Sequence, residues 1–92
     1  MKQRVTTFRD VVFKPHGVIN GAVQGLVKLP NGVTVSIVGG PNLYGDGVDT
    51  FEVASWWGDH GDWIPLGDGE DVKSYQDRHD IDMLLNQLSK LS

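Results

Sequence analysis

No cysteine occurs anywhere in the 92 residues, so neither a disulfide nor a thiolate metal site can hold this chain together. That absence fits a reducing cytoplasm. Long apolar runs are missing too: nothing approaches the roughly 18–20 residues that a membrane-spanning helix needs. The opening stretch, MKQRVTTFRDVVF, lacks the apolar core of about 7–15 residues that marks a secretory signal, so a cytoplasmic protein without a membrane segment is expected. Proline is scarce, with four residues, and no repeat, low-complexity tract or linker divides the chain. One domain over 1–92 is expected, large enough to bury roughly 60–65% of its unfolded surface. Positive charge is short in the second half. Residues 1–45 hold five basic residues against one acidic, and residues 46–92 hold three against eleven, which gives the formal net charge of −4. Phosphates would be repelled by that half, which disfavours nucleic acid as a partner.

What the chain does have is alternation. In LVKLPNGVTVSIV, Asn31-Gly32 between apolar runs marks a hairpin turn. A two-residue loop would set Val27 against Ser36 and Lys28 against Val35, mixing polar and apolar partners. A three-residue loop, Pro30-Asn31-Gly32, pairs Leu29 with Val33, Val27 with Val35 and Gly25 with Ile37, leaving Lys28–Thr34 and Leu26–Ser36 on the other face. Period-two patterning selects the second register. Its turn chemistry also fits: proline and asparagine at the central positions, then glycine in the left-handed conformation. The hairpin is predicted over 22–30 and 33–39. TFRDVVFKPH predicts a first strand over roughly 6–14, which Pro15 ends or marks as an edge. DTFEVASWW predicts another strand, with Phe51, Val53, Ser55 and Trp57 on one face and Glu52, Ala54 and Trp56 on the other. DWIPL, beyond the GDHG turn, reads as a short further strand.

At the C-terminal end, Ile81, Leu84, Leu85, Leu88 and Leu91 recur at helical spacing. Asp77 is placed to cap that helix, Asp80 lies three positions on, and Lys90 in the last turn suits the negative helix end. The expected fold is α+β: a four- to five-stranded antiparallel meander over about 6–66, covered on one face by a C-terminal amphipathic helix over about 78–90.

Several constellations suggest chemistry. The glycines of GGPNLYGDG resemble a phosphate loop, but no Lys-Ser/Thr and no helix follow them. A connecting loop with Tyr44 near its tip is the simpler reading. Asp59, His60 and Asp62 could ligate zinc or manganese. A four-residue turn cannot wrap one ion alone, however, and needs ligands from elsewhere, His16 or His79 being the candidates. GDGED lacks the alternating ligands and closing glutamate of a calcium loop. His79 and Asp82 read as a surface pair on the helix. No Ser–His–Asp set, glutamate pair or activated thiol is present, so no catalysis, cofactor or metal is expected. The tryptophans are the stronger signal. Adjacent strand residues point to opposite faces, so Trp57 belongs with the core and Trp56 with the face the helix leaves open, and Trp63 can lie beside one of them. Exposed tryptophan and tyrosine suit an interface. Tyr44, Trp56, Asp59, His60, Asp62 and Trp63 are therefore the expected partner-binding residues.

The order of four further stretches adds a resemblance. FRDVVFKPH (8–16), NGVTVSIVGGPNLYG (31–45), TFEVA (50–54) and EDVKSYQDRHDIDMLLNQL (70–88) resemble a group of small phage-encoded proteins. Their counterparts read F-x-D-L-x-F-K-P-H, N-G-Y-G-x-S-V-V-x-G-P-x-x-Y-G, Y-E-L-A-V and D-D-V-x-x-Y-L-x-x-x-D-V. The likeness spans most of the chain and departs at Val33-Thr34 and through SWWGDHGDWIPLG (55–67). It implies a phage origin and the cytoplasm of an infected bacterium rather than an activity. With it, the leading expectation is a non-enzymatic binding protein that engages a host or phage protein, as an inhibitor of a bacterial function of the defence type. A homo-oligomeric assembly accessory, a homodimer included, is one alternative. A small-ligand or metal-binding module is the other.

Overall fold

The computed structural model describes residues 7–17, 21–40, 49–66 and 71–91. Tyr44, most of the GGPNLYGDG loop and most of GDGED lie outside the described residues. The described chain forms a five-stranded antiparallel sheet and one C-terminal helix, an α+β fold. The strands follow chain order as a meander: β1 (Phe13–Pro15), β2 (Val23–Lys28), β3 (Val33–Gly39), β4 (Phe51–Trp57) and β5 (Val72–Gln76). Helix α1 spans Arg78–Ser89.

The β2–β3 hairpin takes the three-residue loop. Val27 faces Val35, Lys28 faces Thr34, and Leu29 N–H donates to Val33 O at 2.8 Å. Gly32 N–H closes the turn on Leu29 O at 3.0 Å, and Gly32 has φ +94°, a region a Cβ strongly disfavours. Asn31 does more than turn the chain: its Nδ2 donates to Leu88 O and Leu91 O, at 2.8 and 2.9 Å. The hairpin tip is thereby tied to the end of α1, where Leu88 O also accepts the Leu91 N–H at 3.2 Å.

Alternation then sorts the sheet into two faces. Val33, Val35, Ile37, Phe51 and Val53 point to one side and are buried there beneath Ile81, Leu84, Leu85 and Leu88 of α1, with Leu29 and Leu66 completing the core. The helix starts where Asp77 Oδ1 accepts the Asp80 N–H at 2.8 Å and Asp80 Oδ2 accepts the Asp77 N–H at 3.1 Å, a reciprocal cap. The bond from Asp80 holds the Asp77 carboxyl below its ordinary pKa.

Five local expectations are corrected. The stretch expected as a first strand over 6–14 instead begins with a 3₁₀ turn, Phe8–Asp10, and the strand is only Phe13–Pro15. The cause is Asp10, whose carboxylate accepts the Thr7 N–H at 2.9 Å and closes the backbone locally before a ladder can form. Asp82 does not form the expected surface pair with His79. Its Oδ1 accepts the Phe8 N–H at 2.7 Å and docks this turn on the helix. Phe8, Phe13 and Phe51 then cluster with ring centroids 5.2–5.5 Å apart, and the Arg78 guanidinium lies 5.3 Å from the Phe8 centroid.

DWIPL supplies one bridge, Trp63 to Trp56, and no strand. Pro65 has no N–H to continue a ladder, and Leu66 turns into the core. The fifth strand is Val72–Gln76, so the sheet runs past residue 66 and meets the helix almost directly. Its pairing with β4 slips between Phe51 and Val53, and Tyr75 there has φ +57°. Lys90 caps the helix end rather than sitting in its last turn.

Candidate interaction surface

Among the described residues, no helix lies on the opposite face of the sheet. Strand registers set its side chains in rows. Leu26, Ser36, Ala54 and Val72 are successive cross-strand partners, and Val12 stands beside Leu26, one step beyond the Phe13–Gly25 pair. This row crosses β2 to β5 and runs on to Val12, the residue just ahead of β1. Its outer members are exposed: Val12 at 69%, Leu26 at 57% and Val72 at 37%. Its centre is lined by the small, buried Ser36 and Ala54. A flanking row runs Lys14–Gln24–Val38–Glu52, and the other runs Lys28–Thr34–Trp56, extended by Trp63.

At the last corner the turn after β4 folds back tightly. Gly61 N–H donates to Trp57 O at 2.7 Å, Trp57 N–H to Asp62 O at 3.0 Å, and Ile64 N–H to Ser55 O at 2.8 Å. A Cβ on Gly61 would stand 2.1 Å from Trp57 O, so only glycine permits this closure. The closure brings the Trp56 and Trp63 rings to 5.5 Å, tilted by 36°. Trp56 Nε1 donates to Asp59 O at 3.1 Å, and Lys28 Nζ reaches across from β2 to Asp59 Oδ1 at 2.6 Å. That hydrogen bond from Lys28, reinforced by its charge, holds the Asp59 carboxyl below its ordinary pKa. A hollow of about 290 Å³ lies among Trp56, Asp59, His60, Gly61 and Trp63.

Of the six residues expected to bind a partner, Trp56, Asp59, His60 and Trp63 line this hollow, and Asp62 is exposed on the same turn. Tyr44 lies outside the described residues. Trp56 is half-buried and Trp63 is 53% exposed, whereas Trp57 packs against the helix-covered core. Among the described residues no three His, Asp or Glu side chains gather where one metal ion could be held, and no helix is long and apolar enough to cross a membrane.

The row from Val12 to Val72 was not anticipated as a surface. Half of its signal was legible, because the three-residue turn already sets Leu26 beside Ser36 away from the core. Val72 was not legible, since nothing marked 72–76 as a strand. Comparison with family models, with curated proteins and with solved structures finds no match for this chain.

Proposed function

We propose that the chain is a non-enzymatic binding protein whose contact surface is the sheet face opposite α1, with the Trp56–Trp63 corner as its anchor. One observation carries the reading: a largely apolar row, exposed at both ends, lies next to two tryptophans in tilted ring contact on a face that no described element covers. Apolar surface of that extent marks a contact site, and tryptophans held rigid by their neighbours are typical anchors. The likeness to small phage-encoded proteins supports a bacterial host as the setting and inhibition of a host protein, of the defence type, as the consequence of binding.

The reading is tested by affinity capture from bacterial lysate with the wild-type chain, Trp56→Ala and Asn86→Ala, the last on the exposed side of α1. A specific protein retained by wild type and Asn86→Ala but lost by Trp56→Ala is the expected result, because truncating an anchor aromatic costs about 2 kcal/mol or more of binding, roughly thirtyfold. Equal capture by all three would reject this face as the contact surface.

A further inference from the structure

We infer that a second copy of this chain occupies the open face, the two sheets packing face to face about a two-fold axis parallel to β3. The inference rests on the reading of that face as a contact surface and gives its occupant in the free protein as a second copy, which any bacterial partner at this face displaces.

The shape of the central row is the first argument. In a face-to-face homodimer the two-fold axis lies in the interface plane, where each residue and its counterpart exchange roles. An axis along the strands lays β1 on β5, β2 on β4 and β3 on itself, and keeps every row facing its own copy. Leu26, the ridge of the row, then falls on Ala54 of the other copy, the hollow of the row. Val12 falls on Val72, and Ser36 meets Ser36 at the centre, where a small side chain lets the sheets approach. Each copy contributes one ridge and one hollow, so the match is made twice. An axis across the strands would set β1 on β1 and β2 on β2, stacking Leu26 on Leu26 and leaving the Ala54 hollows facing each other.

Charge selects the same axis. In the flanking row Lys14 stands on β1 and Glu52 on β4. With the axis along the strands, Lys14 of each copy comes over the β4–β5 side of the other, within side-chain reach of Glu52. With the axis across the strands along the central row, the row of Lys14 and Glu52 instead faces the other copy's Lys28–Thr34–Trp56 row, and Lys14 and Glu52 are kept apart. Two sheets packed this way keep their strands within about 30° of each other, close enough to preserve both matches near the axis.

Extent and edges agree. Five strands at about 4.8 Å spacing and about six residues at about 3.3 Å rise give roughly 500 Å² of footprint per copy, hence about 1,000 Å² for the pair, near the lower bound for a specific interface. Association through the sheet edges is obstructed by Pro15 on β1 and by the register slip at Tyr75 on β5. The faces are what remain.

The test is sedimentation velocity on the full chain from about 5 to 500 μM, with thermal melts alongside. The wild type is expected to shift with concentration from the 10.1 kDa monomer toward twice that mass. Leu26→Glu, which buries a charge only in the dimer, is expected to stay monomeric at every concentration. Its melt at the dilute end is expected to match wild type, since Leu26 is exposed in the single copy. Lys14→Glu and Glu52→Lys should each weaken the dimer at least tenfold, and the double variant should recover most of the loss. A wild type monomeric at 500 μM, or a dimer unmoved by Leu26→Glu, overturns the inference. A failure of the double variant to recover overturns the chosen axis and with it the stated dimer. If the wild type is monomeric while Leu26→Glu and Trp56→Ala abolish capture of a bacterial protein, the dimer falls and the contact-surface reading stands. If Leu26→Glu and Trp56→Ala are inert in both assays, both fall.

Discussion

The two faces of one sheet are built from the same five strands, yet they follow different rules. On the helix side the β3 positions Val33, Val35 and Ile37 are fully buried, as are Ile81 and Leu85 above them. On the other side the same strands present the exposed Leu26, the half-buried Trp56 and the small, buried Ser36 and Ala54, with no described element over them. Burial of the first face stabilises the fold within one chain. The second face retains apolar area that this chain leaves in contact with solvent, and that area is free to stabilise an association.

The contrast breaks most visibly at leucine. Leu85→Ala, beneath the helix, is expected to cost about 2–5 kcal/mol, and Leu26→Ala on the open face within about 0.5 kcal/mol for the single chain. Urea denaturation at low protein concentration measures both, and similar losses would mean that the open face is core after all.

A smaller effect runs in the opposite direction. Ser55 sits on the helix side, fully buried opposite Val35, and its hydroxyl has no hydrogen-bond partner among the described residues. Ser55→Ala removes a desolvated polar group and is expected to stabilise by up to about 1 kcal/mol. A loss of stability would show that the hydroxyl is satisfied in solution.

The smallest effect belongs to the ion pair that ties the open face together. Because Lys28 lowers the folded-state pKa of Asp59, the pair's stabilisation is fully present above the ordinary value of 3.8 and is lost as pH falls through the lower folded value. Both side chains are mostly exposed, at 72% and 68%, so the contribution is modest and sensitive to salt. The melting-temperature gap between wild type and Lys28→Met should therefore be small at pH 6 and close toward pH 2.5. A gap that persists at low pH would assign it to the lysine stem's packing instead.

Much of this molecule is decided by local pattern. Alternation around Pro30-Asn31-Gly32 was enough to choose the hairpin register, because a one-residue slip would have turned Val33, Val35 and Ile37 to the wrong face. The leucine stripe and Asp77 were enough to place the helix, since 3.6-residue periodicity and a cap are properties of a short segment. The same alternation sent Trp56 and Trp57 to opposite sides. Tertiary structure decided the rest. Asp10 and Asp82 hold the 3₁₀ turn through a carboxylate 74 residues from Phe8, a contact that no local window contains. VKSYQ carries no clear alternation and becomes β5 because β4 offers an unpaired edge beside it. Trp63 comes to lie on Trp56 because glycine at 61, with Gly58 at φ +63°, allows the turn between them to close. The open apolar row exists only once five separate segments are in register, since its members come from positions 12, 26, 36, 54 and 72 and no short stretch of chain holds more than one of them.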